Sequence, residues 1–143
     1  MQAMEIEGYP IAGVAALSVN SPGEDCAQIE NIFRRCRWTL RSSPNVSSAI
    51  VSLRRNRVRV VLCDGANWKE MLERSRDLPE PPVLIVTSRV ADEQLWAEAL
   101  NLGAYDVLPK PFDINEVVRV VSLAWLHSQN HPIARPAAKT MVA

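Results

Sequence analysis

Five short apolar runs, each followed by a segment of helical period, constrain this chain more than any other feature. The runs are Val14 to Val19, Trp38 to Leu40, Val58 to Cys63, Val83 to Val86 and Tyr105 to Leu108. The third and fourth, VRVVLC and VLIV, are rich in β-branched residues, and the fourth is apolar throughout, as a parallel strand covered on both faces must be. After the first run, Ser21, Pro22 and Glu24 have capping-box spacing, and Cys26, Ile29, Phe33 and Cys36 then recur at helical intervals. Ser43 and Pro44 repeat the start signal before Val46, Ala49, Ile50 and Leu53. Trp68, Met71 and Leu72 mark a short third helix. Leu95, Ala99 and Leu102 mark a fourth that ends at Gly103, and Asp113 with Glu116 caps a fifth.

Strict alternation of strand and helix requires parallel strands joined by right-handed crossovers. The expected fold is α/β: a five-stranded, parallel, doubly wound sheet of order 2-1-3-4-5 with helices on both faces. Ligands bind such sheets beyond the carboxyl ends of the strands, where strand order reverses. That rule directs attention to Asn20, Ser21, Asp64, Thr87, Ser88 and the loop ending in Lys110. The domain is expected over residues 13–128, with an N-terminal extension at 1–12 and a flexible tail at 129–143, where two prolines and small side chains show no period.

At 143 residues and 48% hydrophobic, one such domain can bury a core without disulfides or a structural metal. Sixteen basic residues balance sixteen acidic ones, so no global field advertises nucleic acid or a membrane surface. Cys26, Cys36 and Cys63 form no C-x-x-C pair and fit a reducing compartment. The first residues lack a basic leader, and no run is long enough to span a bilayer, so a cytoplasmic protein is expected. Arg34, Arg35, Arg37, Arg41, Arg54, Arg55, Arg57 and Arg59 crowd a stretch without acids. No aromatic platform or DNA-reading motif accompanies them, so they read as a solvated edge and nucleic acid is not the expected partner.

Asp64 closing VRVVLCD, Thr87 closing VLIVT and Lys110 in GAYDVLPKPF together resemble the CheY-like receiver domain of bacterial response regulators, over residues 13 to 127. The resemblance implies a phosphoacceptor aspartate at Asp64, a hydroxyl at Thr87 for a phosphoryl oxygen with Ser88 beside it, and a lysine at Lys110 that pairs with the acyl phosphate. It also implies a cis bond before Pro111, which would aim Lys110 into the pocket. Such roles are chemically sound: a carboxylate can attack phosphorus, and fixed cations and donors stabilise the charge of the transferring group.

Three departures from the receiver pattern bear on chemistry. The family's two adjacent acids, which help hold Mg²⁺, are replaced by Asn20 and Ser21. Mg²⁺ demands near-octahedral oxygens and usually one or two carboxylates, so Asp64 alone should bind it weakly, and no other cofactor is expected. Glu24 and Asp25, as first-turn residues, are expected to complement the helix dipole. The loop after Asp64 is short, and Val107 stands where receivers place an aromatic residue. With fewer acids nearby, Lys110 is expected to pair directly with Asp64.

These features together suggest a stand-alone atypical receiver domain in phosphorelay (two-component) signalling. It would work by protein–protein contact with a histidine kinase or other signalling protein rather than as an enzyme, with phosphorylation of Asp64 weak or lost. Two alternatives compete: a flavodoxin-like cofactor binder or enzyme, for which SPGEDC offers no phosphate cradle, and a nucleic-acid binder using the arginines of 34–59. On helix five, Ile114, Val117, Val118, Val121 and Trp125 form a core stripe. Val120, Leu123 and Leu126 form a second apolar row, expected to be a homodimer or partner interface. His127 and His131 have no acid or nucleophile beside them and are assigned no role.

Overall fold

A computed structural model describes residues 10–20 and 23–130. Ser21, Pro22, His131 and nearly all of both terminal segments lie outside the described residues. The elements alternate strictly along the chain: β1 (Ala15–Val19), α1 (Glu24–Arg35), β2 (Thr39–Ser43), α2 (Val46–Arg55), β3 (Val60–Asp64), α3 (Trp68–Ser75), β4 (Val83–Ser88), α4 (Glu93–Leu102), β5 (Asp106–Pro109) and α5 (Ile114–Gln129). All strand pairs are parallel and the order is β2-β1-β3-β4-β5, the expected topology.

The period of two along the central strands divides the core. Ala16, Val60, Leu62 and Ile85 face α1 and α5, where Ile29, Phe33, Val117 and Val121 cover them. Leu17, Val61, Cys63 and Val86 face the other side, under Val46 and Ile50 of α2, Met71 of α3 and Ala99 of α4. Each fully buried Leu or Val side chain contributes roughly 1.5–3 kcal/mol to holding the layers together.

Local signals fix several element ends. Asp113 Oδ2 accepts from the Glu116 amide at 3.0 Å, capping α5 as its spacing predicts. Gly103 ends α4 at φ 113°, a left-handed conformation that costs glycine nothing. At α2 the cap is Asn45 instead of Ser43: Asn45 Oδ1 accepts from the Ser48 amide at 2.9 Å, and Ser43 is the last residue of β2. The second apolar run stops at Leu40, yet β2 continues through Arg41, Ser42 and Ser43. This edge strand leaves polar side chains in solvent, so pairing with β1 and not hydrophobicity defines its length. Trp38, just before it, donates its indole N–H to the Ile11 carbonyl at 2.7 Å and meets Phe33 edge-on.

The second apolar row on α5 needs correction. Val120 is fully buried, and only Leu123 and Leu126 stay exposed, at 46% and 45%. The helix packs over β3, β4 and β5, so its buried arc takes in Val117, Val118, Val120, Val121 and Ala124. A stripe of that width extends past a single heptad-like row.

Candidate functional site

Asp64 is the last residue of β3 and stands in register with Thr87 of β4. The turn Asp64-Gly65-Ala66-Asn67 is closed by the Asn67 amide donating to the Asp64 carbonyl at 3.1 Å. Within the same turn, Asn67 Nδ2 donates to Asp64 Oδ1 at 2.9 Å. A Cβ added at Gly65 would lie 3.3 Å from Ser88 Oγ, so glycine lets this turn approach the end of β4. Thr87 is buried, while Ser88 has two ties: its carbonyl accepts from the Lys110 amide at 2.9 Å and its Oγ accepts from the Val90 amide at 3.0 Å. The Lys110–Pro111 bond is cis.

After β1, Asn20 donates its amide to the Ser43 carbonyl at 3.1 Å and accepts from Ser18 Oγ on Oδ1 at 3.4 Å. Asn20, Gly23, Glu24, Asp25, Asp64, Arg89 and Lys110 line a pocket of about 270 Å³. A larger groove of about 540 Å³ lies elsewhere, between the α2–β3 and α3–β4 connections. Its Arg57 is already paired with Glu80 at 2.9 Å, and none of the strand-end residues reaches it.

Two residues in the pocket have positions that sequence reasoning did not anticipate. Asp25, in the first turn of α1 as the dipole role requires, also holds both pocket cations: Lys110 Nζ lies 3.5 Å from Oδ2, and Arg89 donates to Oδ1 at 2.8 Å. The direct Asp64–Lys110 pair expected from the sequence is therefore replaced. The short turn supplies Asp64 with the Asn67 amide, and the first turn of α1 sets Asp25 against the β5–α5 connection. A double-mutant cycle should show coupling of Lys110→Met with Asp25→Asn that exceeds its coupling with Asp64→Asn. Equal or reversed couplings would contradict this assignment.

The receiver fold implies Mg²⁺ here, but the donor set does not fit it. Asn20 is neutral, the Asp25 carboxylate is held by two cations, and one Asp64 oxygen accepts from Asn67. Among the described residues no group of three or more His, Cys, Asp or Glu side chains could hold a metal ion. Val107 is buried in the cluster under α2, α3 and α4. The nearby aromatic, Tyr105, sits with its ring 5.2 Å from that of His127.

Cys63, next to Asp64 in β3, is fully buried. Burial raises its thiol pKa well above the ordinary value; the charges of Asp64 and Glu70 add to this and Lys110 opposes it. Cys36 is also buried, while Cys26 is partly exposed beside Glu30. Alkylation of native protein near pH 8 should stop at one adduct, on Cys26, with Cys36 and Cys63 reacting only after denaturation. Rapid labelling of Cys63 in native protein would mean that the end of β3 opens.

No protein-family model matches the chain. The DNA-binding transcriptional regulator NtrC of Klebsiella pneumoniae is 42% identical over 66 residues, covering 42% of this chain and 14% of that protein. The chain thus spans a small part of that curated relative. Among solved structures, the signal receiver domain of an HD domain-containing protein from Pseudomonas fluorescens aligns with a TM-score of 0.70 at 22% identity, over 82% of this chain and 98% of that one. The receiver domain of Ssk1, solved with the histidine phosphotransfer signalling protein Ypd1 of Saccharomyces cerevisiae, aligns with a TM-score of 0.69 at 14% identity, over 81% and 90%. The fold is that of the CheY-like receiver domains.

Proposed function

We propose that this chain is a phosphorelay signalling domain of the receiver type that acts by contact with other proteins, and that Asp64 accepts a phosphoryl group weakly or not at all. The observation that carries this reading is the meeting of Asp64, Thr87 and Lys110 at the carboxyl ends of three adjacent strands, with a cis bond before Pro111. In that arrangement Asp64 is the acceptor position. Thr87 and Ser88 are the hydroxyls at the end of β4, beside the pocket but not in its lining, and Lys110 is its nearly buried cation. The weakness follows from Asn20 and Ser21 in place of acids and from the engagement of Lys110 with Asp25. Incubation with Mg²⁺ and a small-molecule phosphodonor should leave the intact mass unchanged. Near-complete conversion to a singly phosphorylated species, lost on Asp64→Asn, would overturn the weak-acceptor reading.

The partner in this reading is a histidine kinase, a phosphotransfer protein or a second copy of the chain. The contact surface is the outer side of α5, where Leu123 and Leu126 are large apolar side chains left exposed. Glu116 and Arg119, paired at 2.8 Å, supply a polar rim. Leu123→Glu should abolish self-association or partner binding in sedimentation and pull-down, while changing stability by no more than about 0.5 kcal/mol, as surface substitutions do. A monomer at high concentration whose partners survive Leu123→Glu would exclude this surface.

A cytoplasmic setting belongs to the same reading; among the described residues no helix is long and apolar enough to cross a membrane. A cofactor-binding role is not favoured, because the sequence between β1 and α1, Ser21-Pro22-Gly23, is not a glycine-rich phosphate cradle. Nor is nucleic-acid binding, because the arginines from Arg34 to Arg59 are divided among α1, the α1–β2 turn, β2, the end of α2 and the α2–β3 connection, with Arg59 committed to the Ser128 carbonyl at 2.7 Å.

A further inference from the structure

Lys110 and Arg89 reach the pocket from different connections, β5–α5 and β4–α4, and converge on the two oxygens of one carboxylate. Lys110 is only 10% exposed, and an ammonium so largely withdrawn from water requires an anionic partner. The acid within 4 Å of it, among the described residues, is Asp25. One oxygen per cation is the arrangement a tetrahedral oxyanion also offers, and charge-assisted contacts of this kind are among the stronger hydrogen bonds. Asp25 is itself 23% exposed and Arg89 61%, so the site is open to solvent at Arg89 more than at Lys110.

We infer that Lys110 and Arg89 form a metal-independent oxyanion site whose resting occupant is the Asp25 carboxylate, and that inorganic phosphate or a phosphoryl group competes with Asp25 for it. Arg89 supplies there the second positive charge that no metal provides. Because the carboxylate is tethered to α1, its effective concentration at the cations is high, and a free oxyanion sees only the fraction of molecules in which Asp25 has swung away. The site is thus self-blocked in the resting protein. The inference stands on this geometry and does not require that Asp64 be phosphorylated or that the chain signal, so it can fail while the receiver reading survives, and the reverse.

The test is an amide NMR titration of the full chain with inorganic phosphate in the presence of EDTA. Wild-type protein should bind weakly. Asp25→Asn, nearly isosteric, should bind at least about tenfold tighter, since removing the competing anion restores the open fraction. Shifts should centre on the amides of Gly23, Ser88, Arg89 and Lys110. Adding Arg89→Ala or Lys110→Met to Asp25→Asn should reverse the gain. Asp25→Ser should reproduce the gain and serves in its place if Asp25→Asn does not fold. Phosphate binding that is no tighter without the Asp25 carboxylate, that needs Mg²⁺, or that survives loss of both cations would overturn the inference.

Discussion

Replacing both Asn20 and Ser21 with aspartate is expected to raise Mg²⁺ affinity at least about tenfold, because ligand charge count is the main lever on hard-cation sites. It is also expected to turn a protein whose mass a small-molecule phosphodonor leaves unchanged into one carrying a single phosphoryl group. The rest of the strand-end set is already in place. Asp64 is in register with Thr87, and the Ser88 carbonyl holds the Lys110 amide at 2.9 Å, so what the two substitutions add is charge. Isothermal titration with Mg²⁺ and intact-mass measurement check the two halves separately. Asp64→Asn in the same background should remove the adduct and thereby locate it. If the double variant binds Mg²⁺ no better than wild type, the short Asp64–Asn67 turn, not the lost acids, is what disables the site. Adding Asp25→Asn should then fail to help as well.

The topology could be read from the chain because each local signal agreed with the global one. Apolar β-branched runs alternated with helical periods, and Gly103 and Asp113 punctuated helices where the structure ends and starts them. β2 was legible only in part. An edge strand with Arg41 and Ser42 facing solvent carries no hydrophobic pattern, and its register comes from hydrogen bonding to β1. Val120 was misplaced because periodicity gives the direction a residue points but not the width of the arc a neighbouring sheet will cover.

The candidate site was divided in the same way. Asp64, Thr87 and Lys110 terminate or follow strands, so one topological rule gathers them. Asp25 in the first turn of α1 and Arg89 in the β4–α4 connection lie 64 residues apart in sequence, and nothing in either local pattern shows that they meet. The acid in the first turn of α1 had a sufficient local explanation in the helix dipole, and that explanation hid its tertiary role.

The link between that role and the core leads to the largest stability effect expected in the chain. Phe33 is among the largest fully buried side chains and packs edge-on against Trp38, with ring centroids 5.3 Å apart. Trp38 in turn anchors the segment before β1 through the Ile11 carbonyl. Phe33→Ala would remove the apolar contact and leave a cavity that helix and sheet cannot both collapse into, at a cost of about 3–5 kcal/mol. Against a typical total of about 5–15 kcal/mol, this is a large fraction of the folding free energy. Urea unfolding followed by circular dichroism should show the midpoint fall with an unchanged slope. Asp25 lies at the opposite end of the same helix, about two turns from Phe33. Loosening α1 from the sheet should therefore also weaken the hold of Asp25 on Lys110 and Arg89, read as phosphate binding in the folded variant above the wild-type level. Leu126→Ala, a truncation at an exposed α5 position, should change stability by no more than about 0.5 kcal/mol and leave phosphate binding unchanged. A loss below about 1 kcal/mol for Phe33→Ala would mean that α1 is not docked on the sheet through this contact, and Asp25 would then lack the rigid support that its place between the two cations requires.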